Sequence, residues 1–147
     1  MQLIGFNFKK ISAERKEIGK GKIEVKANVN IKDVNQEKTD LFKDQSAIKF
    51  DFEFSVVYSP NLASLSFEGS TVLLLSKDES KEVLKKWKDK KVTEDVRVFL
   101  FNNILTRCNL RALQLEEELG LPTHIPMPVI RPEQIAESKD KKNSYTG

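Results

Sequence analysis

The chain has 147 residues, of which 39% are hydrophobic and 32% charged, a composition typical of a single soluble globular domain. Its 25 basic and 22 acidic residues leave a net charge of +3, which is too even a balance to indicate nucleic-acid binding by charge alone. A single cysteine excludes an intramolecular disulfide, and no apolar run approaches the ~20 residues of a membrane span. The first residues also lack a secretory-signal pattern. We therefore expect a cytoplasmic protein.

Four segments alternate apolar and polar residues, which is the pattern of strands with one buried face. In chain order they are LIGFNFKKI, KIEVKANVNIK, AIKFDFEFSVVY and LASLSFEGSTVLLL. The first places Ile4, Phe6 and Phe8 on one face, and Pro60 with Asn61 predicts a hairpin between the third and fourth. Such alternation is typical of an antiparallel sheet with one face covered by other elements.

Two helices are predicted to follow the strands. The first, SKDESKEVLKKWKDKK, begins with Ser76 and has Glu79 three residues later, which is a capping-box pattern. A longer helix begins after Thr93, its predicted N-cap, and is terminated by Gly120, because glycine favours the position directly after the last turn of a helix. The sequence therefore predicts an α+β fold, with a four-stranded antiparallel sheet packed on one face by a long helix. We expect this domain to span residues 1–132 and a charged flexible tail to follow over residues 133–147.

The long helix is apolar on more than one side, because Val98, Phe101 and Leu105 lie away from the stripe that would face the sheet. One explanation is that these three residues form an interface with a second copy of the chain, since two-fold dimers are the commonest assembly. The other explanation is a kinked helix whose single apolar stripe rotates about its axis.

No group of residues predicts a catalytic, cofactor or metal site. The only histidine, His124, has no acidic partner two to four residues away, and a zinc site needs three or four ligands. Cys108 lies among apolar helix neighbours, where a free cysteine usually acts as a small hydrophobe. Glu116, Glu117 and Glu118 lie at the end of the helix and are expected on a solvated face. We therefore expect a protein that is not an enzyme and needs no cofactor.

The shorter helix supports an alternative function in RNA or ribosome binding. Its lysines, which lie beside an aromatic residue, could contact phosphates. The candidate residues are Lys81, Lys85, Lys86, Trp87 and Lys88. Acidic residues are interspersed among these lysines, and they favour an ordinary solvated surface instead.

The stretch after the long helix, LGLPTHIPMPVIRP, holds four of the five prolines together with several apolar side chains. Proline fixes φ at about −65° and removes a backbone donor, so this stretch is predicted to be stiff and extended. A solvated linker would instead carry glycine, serine or charged residues.

The order of these elements is similar to that of the SecB family, the export chaperones and their SecB-like relatives in archaea and toxin–antitoxin systems. The resemblance covers about residues 2–130 and rests on four antiparallel strands, the strand end FEGSTVLLL, one long helix and GLPTHIPMPVI directly after it. It implies a homodimer or dimer of dimers that holds unfolded or nascent polypeptides without ATP. It also implies that the protein could take part in protein export.

The resemblance also implies that the proline-rich stretch displays apolar side chains along a hydrophobic groove, with a second segment as the opposite wall. The candidate groove residues are Leu41, Phe42, Leu121, Ile125, Met127, Val129 and Ile130. Two alternatives stay open. The stretch could pack over the rim of the core, or it could close as a lid over a small ligand between helix and sheet.

Overall fold

A computed structural model of the chain describes residues 1–16, 21–38, 43–130 and 132. Its elements are four strands, β1 (Gln2–Arg15), β2 (Glu24–Glu37), β3 (Gln45–Ser59) and β4 (Ala63–Ser76), followed by two helices, α1 (Lys77–Trp87) and α2 (Glu94–Glu118). The predicted α+β class, the four strands and the two helices are confirmed. Within the described ranges, neither helix is long and apolar enough to cross a membrane.

The four strands form one antiparallel sheet in the order β1-β4-β3-β2. β3 and β4 form the predicted hairpin, in which Tyr58 pairs with Ala63. β1 and β2 occupy opposite edges of the sheet, so these two consecutive strands are not neighbours and do not form a hairpin. One face carries the alternating apolar side chains, and those of the central strand β3 are almost completely buried: Ile48, Phe50, Phe52, Phe54, Val56 and Tyr58.

An irregularity near the start of β1 changes which of its side chains face the core. The pairing with β4 shifts between Leu3 and Gly5. Leu3, Phe6 and Phe8 pack against the core, whereas Ile4 is 42% exposed. The predicted inward position of Ile4 is therefore wrong. A bulge adds one residue to the strand, and the side chains on its two sides then follow opposite alternation, so Ile4 points away from the core although Phe6 and Phe8 point towards it.

Both helices cover the same face of the sheet, since Val83 of α1 and Leu100 of α2 belong to one core with the inner side chains of β3. The predicted cap of α1 is confirmed, because Ser76 Oγ accepts a hydrogen bond from the Glu79 backbone N–H at 3.2 Å. Thr93 is the N-cap of α2, although its side chain makes no capping hydrogen bond.

The buried side of α2 repeats every four residues along the whole helix: Val96, Leu100, Ile104, Cys108, Ala112 and Glu116. Four residues turn an α-helix by about 400°, so each step moves this buried stripe by about 40° around the axis. The helix continues from Glu94 to Glu118, and the winding of the stripe follows from the residue spacing. The winding places buried residues on several sides of α2, but it does not include Val98, which is 54% exposed.

Gly69 makes room for an aromatic cluster in the middle of the sheet. It pairs with Phe8 on β1 and with Phe52 on β3, and a Cβ atom at this position would lie 2.7 Å from Phe52 Cζ. Phe52 stacks on Phe6 with ring centroids 5.3 Å apart, and Phe8 meets Phe67 edge to face. The Phe52 ring therefore occupies space that a larger residue at position 69 would need.

Candidate functional site

The proline-rich stretch leaves α2 through a tight turn. Gly120 has a φ of +63°, and its N–H donates to the Glu117 carbonyl at 3.1 Å. The Leu121 N–H donates to the Glu116 carbonyl at 2.8 Å. This pair of hydrogen bonds is a Schellman motif, in which a glycine in the left-handed conformation reverses the chain. The prediction that the helix ends at Gly120 is confirmed.

A buried polar network holds the first residues after this turn. Glu116 Oε1 accepts a hydrogen bond from the His124 backbone N–H at 3.1 Å and lies 2.8 Å from His124 Nδ1. The Tyr58 hydroxyl of β3 donates to the Pro122 carbonyl and lies 3.1 Å from Glu116 Oε2. On the other side of the imidazole, Asn109 Oδ1 lies 2.7 Å from His124 Nε2. One continuous set of polar contacts thus joins α2, β3 and the proline-rich stretch.

This network is shielded from solvent, since the side chain of His124 is 1% exposed and that of Glu116 is 0% exposed. Burial, and then the charge and hydrogen bond of Glu116, raise the pKa of the Tyr58 hydroxyl, which therefore keeps its proton as a donor. A substrate in solvent does not reach these groups in this arrangement. The network fixes the backbone and does not form an accessible acid–base site.

One sequence prediction about these residues is wrong, because Glu116 is buried instead of solvated. His124 has no acidic residue two to four positions away, as the sequence shows, but its acidic partner Glu116 lies eight residues upstream. The repeat along α2 is the signal that could have identified Glu116, because it follows Ala112 by four residues. The pairing with His124 has no local signal, because it depends on the chain reversal at Gly120.

The stretch divides into two parts by exposure. In the root (residues 121–125), Leu121 is 9% exposed and belongs to the core, while Ile125 is half-buried. The tip (residues 126–130) carries exposed apolar side chains, with exposed fractions of 52%, 69% and 79% for Met127, Val129 and Ile130. More than half of each of these three side chains is in solvent, so the tip does not pack as part of the core.

The predicted groove residues differ in whether the structure places them at the surface. Leu121 is not displayed as expected, because its side chain fills the core beneath the turn. Leu41 and Phe42, the predicted opposite wall, lie outside the described residues. The tip is therefore the part of the predicted groove that the structure shows on the surface.

The three candidate interface residues on α2 differ in their surroundings. Val98 is 54% exposed. Phe101 and Leu105 are half-buried and pack against the core, so they contribute less free surface than their sequence pattern predicts. The interface with a second copy stays a prediction, and Val98 is its most accessible residue.

The lysine-rich helix α1 places its candidate RNA-binding residues in different environments. Lys86 lies 3.6 Å from Glu82, and Trp87 is half-buried and packs against the core. The Lys90 ammonium lies over the Trp87 ring, 4.7 Å from its centroid, so that face of the ring is not free to stack on a base. All four candidate lysines, Lys81, Lys85, Lys86 and Lys88, are exposed.

In the described part of the chain, the structure supports neither a reactive cysteine nor a metal site. Among those residues, no group of three or more His, Cys, Asp or Glu side chains is arranged to hold a metal ion. Cys108 is completely buried, and burial raises the pKa of its thiol to about 12. The thiol is therefore protonated at neutral pH, and both ring nitrogens of His124 already have partners, so the two residues do not form a nucleophile and base pair.

Comparison with solved structures identifies the fold. The chain is similar to the SecB-like chaperone Rv1957 of Mycobacterium tuberculosis, solved in complex with a ChAD peptide from the HigA1 antitoxin. The match covers 89% of this chain and 91% of that chain, with a TM-score of 0.50 and 12% sequence identity. No family model matches the chain, and no curated protein matches it in sequence. The resemblance to SecB-like proteins is therefore confirmed at the level of the fold.

Proposed function

We propose that this protein, which has the fold of a SecB-like chaperone, is a holdase that binds unfolded polypeptides without ATP. The observation that carries the proposal is the tip of the proline-rich stretch, where three apolar side chains are 52% to 79% exposed. The similar Mycobacterium tuberculosis protein is a chaperone in complex with a peptide, which supports polypeptide as the class of ligand.

The exposed side chains of the tip provide the driving force for binding. Burial of apolar surface contributes about 25 cal/mol per Å², so three such side chains favour contact with an apolar segment of a client. Met127 adds a flexible side chain that adapts to different partners. Pro126 and Pro128 fix φ, which reduces the conformational entropy that the tip loses on binding.

The root explains why the tip stays available. Leu121 is inserted in the core, and the Pro122 carbonyl is held by the Tyr58 hydroxyl. The bonds between Glu116 and His124 fix the next turn of the chain. The tip therefore leaves the surface at a defined place, and this preorganisation lowers the cost of ordering it when a client binds.

Aggregation of a reduced, denatured client, followed by light scattering, tests the proposal. We expect the protein to slow aggregation without nucleotide, and the triple variant Met127→Ser, Val129→Ser, Ile130→Ser to lose most of this effect. Val57→Ser is the matched control, because Val57 is 44% exposed on β3 and lies outside the tip. The proposal fails if the unmodified protein does not delay aggregation, or if the triple variant delays it equally well.

The proposal includes a homodimer or dimer of dimers, which would combine several tips in one assembly and increase avidity. Val98 is the exposed residue through which α2 would contact a second copy. We expect light scattering to give at least the mass of a dimer, and Val98→Asp to lower that mass. A monomeric protein at micromolar concentration would contradict this part of the proposal.

A further inference from the structure

A cavity of about 480 Å³ lies between β2 and the junction of the two helices, a region that the proposed tip does not include. Cavities of about 300–1,000 Å³ are typical of sites for small ligands. The apolar part of its lining consists of half-buried residues, which are Val29, Ile31, Trp87, Val92 and Phe101. Their remaining exposed surface would be covered by an apolar ligand.

The rim of this cavity is positively charged. Lys90, Lys91 and Arg97 line it, and all three are exposed. Within the part of the chain that the structure describes, none of the three forms an ion pair, and no residue that lines the cavity is acidic. The cavity therefore combines five apolar side chains and one amide, that of Asn30, with three cations at its mouth.

Asp33 of β2 is a carboxylate near this rim, and it already has hydrogen-bond partners. The Asn35 side-chain amide and the Val34 backbone N–H each donate to it at 2.9 Å. These bonds, that of Asn35 first, hold the pKa of Asp33 below its usual range, with smaller contributions from Trp87 and Lys90. Asp33 is thus one hydrogen-bonded carboxylate beside three cations, so the rim keeps an excess of positive charge.

Lys90 occupies a backbone position at which glycine is usual. Its φ is +57°, its N–H donates to the Trp87 carbonyl at 2.8 Å, and the Lys91 N–H donates to the Lys86 carbonyl at 3.1 Å. These are the bonds of a Schellman motif, whose left-handed residue is strained when it carries a side chain. Here that side chain places its ammonium over Trp87, so the strained residue contributes a cation to the mouth of the cavity.

We infer that this cavity binds client segments in which an apolar side chain stands beside aspartate or glutamate. The inference rests on the proposed function, because it names the chemistry of one class of client. The apolar lining would enclose the aliphatic or aromatic side chain. Lys90, Lys91 and Arg97 would pair with the flanking carboxylates through charge-assisted hydrogen bonds.

An acidic peptide fits this surface better than a nucleic acid does. A neighbouring cavity at the same helix junction is lined by four carboxylates, those of Glu79, Glu82, Glu94 and Asp95. A phosphate chain that extended along the junction would approach these acidic groups, whereas a short peptide segment needs only the one cavity. The positive charge is therefore confined to one cavity. A ligand with a few carboxylates matches it better than a long polyanion does.

A fluorescence titration of the full chain with two short capped peptides tests the inference. Trp87 is the only tryptophan, so its emission reports on the cavity directly. One peptide carries phenylalanine between aspartate and glutamate, and the matched peptide carries asparagine and glutamine in their places. We expect the acidic peptide to bind about tenfold more tightly at low salt, and we expect salt to remove most of this preference.

The variant Lys90→Gly tests peptide binding without loss of stability. The change relieves the strained backbone, so the melting temperature should stay the same or rise. The acidic peptide should bind about three- to fivefold more weakly, because one exposed ion pair is lost. Lys81→Gln is the matched control, because Lys81 is an exposed lysine of α1 that does not line the cavity.

The outcomes distinguish this inference from the proposed function. If the protein delays client aggregation but shows no preference for the acidic peptide, or if Lys90→Gly binds it unchanged, the inference is overturned and the holdase proposal stands. If neither peptide binds and clients aggregate at the uninhibited rate, both are overturned. Tighter binding of single-stranded RNA, or a Trp87 emission change with protein concentration alone, would assign the cavity to RNA or to a second copy and would also overturn the inference.

Discussion

Replacing Glu116 by leucine removes the acceptor around which the root of the proline-rich stretch is built, while it keeps a side chain of similar size. The carboxylate accepts from the His124 backbone N–H at 3.1 Å and faces His124 Nδ1 at 2.8 Å. The variant leaves both of these buried groups without that partner. The Tyr58 hydroxyl keeps its bond to the Pro122 carbonyl, so the loss falls mainly on His124.

The expected loss of stability follows from these two groups. A buried polar group left without a partner costs about 1–3 kcal/mol, so two of them cost about 2–6 kcal/mol. The apolar surface of the leucine offsets a part of this cost. We expect the free energy of unfolding to fall by about 3 kcal/mol, which lowers the melting temperature of a chain of this size by about 6–12 °C.

Urea denaturation followed by circular dichroism measures this difference. Glu117→Leu is the matched control, because Glu117 is the next residue and is exposed, and its effect should stay within about 0.5 kcal/mol. Equal free energies of unfolding for the two variants would refute the structural role of Glu116. Limited proteolysis gives a second readout, since Glu116→Leu should allow cleavage in the root under conditions in which the sheet stays folded.

Three further predictions concern the core and the helix end. Gly69→Ala should lower the free energy of unfolding by about 1–3 kcal/mol, because its Cβ would overlap the Asn7 carbonyl oxygen of β1 and lie 2.7 Å from Phe52 Cζ, and an unchanged thermal melt would contradict these close contacts. Cys108 should react with a thiol reagent only after denaturation, because burial shields it and raises its pKa to about 12; rapid labelling of the native protein would refute this. Gly120→Ala should cost about 1–2 kcal/mol in urea denaturation, because φ is +63° and the Cβ would lie 2.8 Å from Arg15 Nη1; stability equal to that of the unmodified chain would argue against the Schellman turn.

Alternation of apolar and polar residues was sufficient to predict the strands and the buried face of β3, where every second residue from Ile48 to Tyr58 is buried. The same rule was wrong for Ile4, because a bulge interrupts the alternation of β1. Strand order was not predictable in this way, since alternation determines which face a side chain occupies but not which strand lies beside it.

The tip could be predicted from its prolines and apolar residues, but its anchoring could not. A run of three glutamates is usually solvated, and only the repeat of four along α2 distinguishes Glu116 from its neighbours. Its contact with His124 forms after the chain reverses at Gly120. The cavity beside Trp87 likewise combines residues of β2 with the helix junction, which are distant in sequence and come together only in the fold.

Site-specific photo-cross-linking tests most directly whether the tip holds unfolded polypeptide. A p-benzoylphenylalanine residue would replace Val129, which is 69% exposed in the tip, and a control protein would carry it in place of Val57, which is 44% exposed on β3. We expect irradiation with a reduced, unfolded client to give adducts from position 129 and few from position 57, and the adducts should disappear when the client is folded. Equal yields from the two positions, or none from position 129, would contradict the proposed role of the tip.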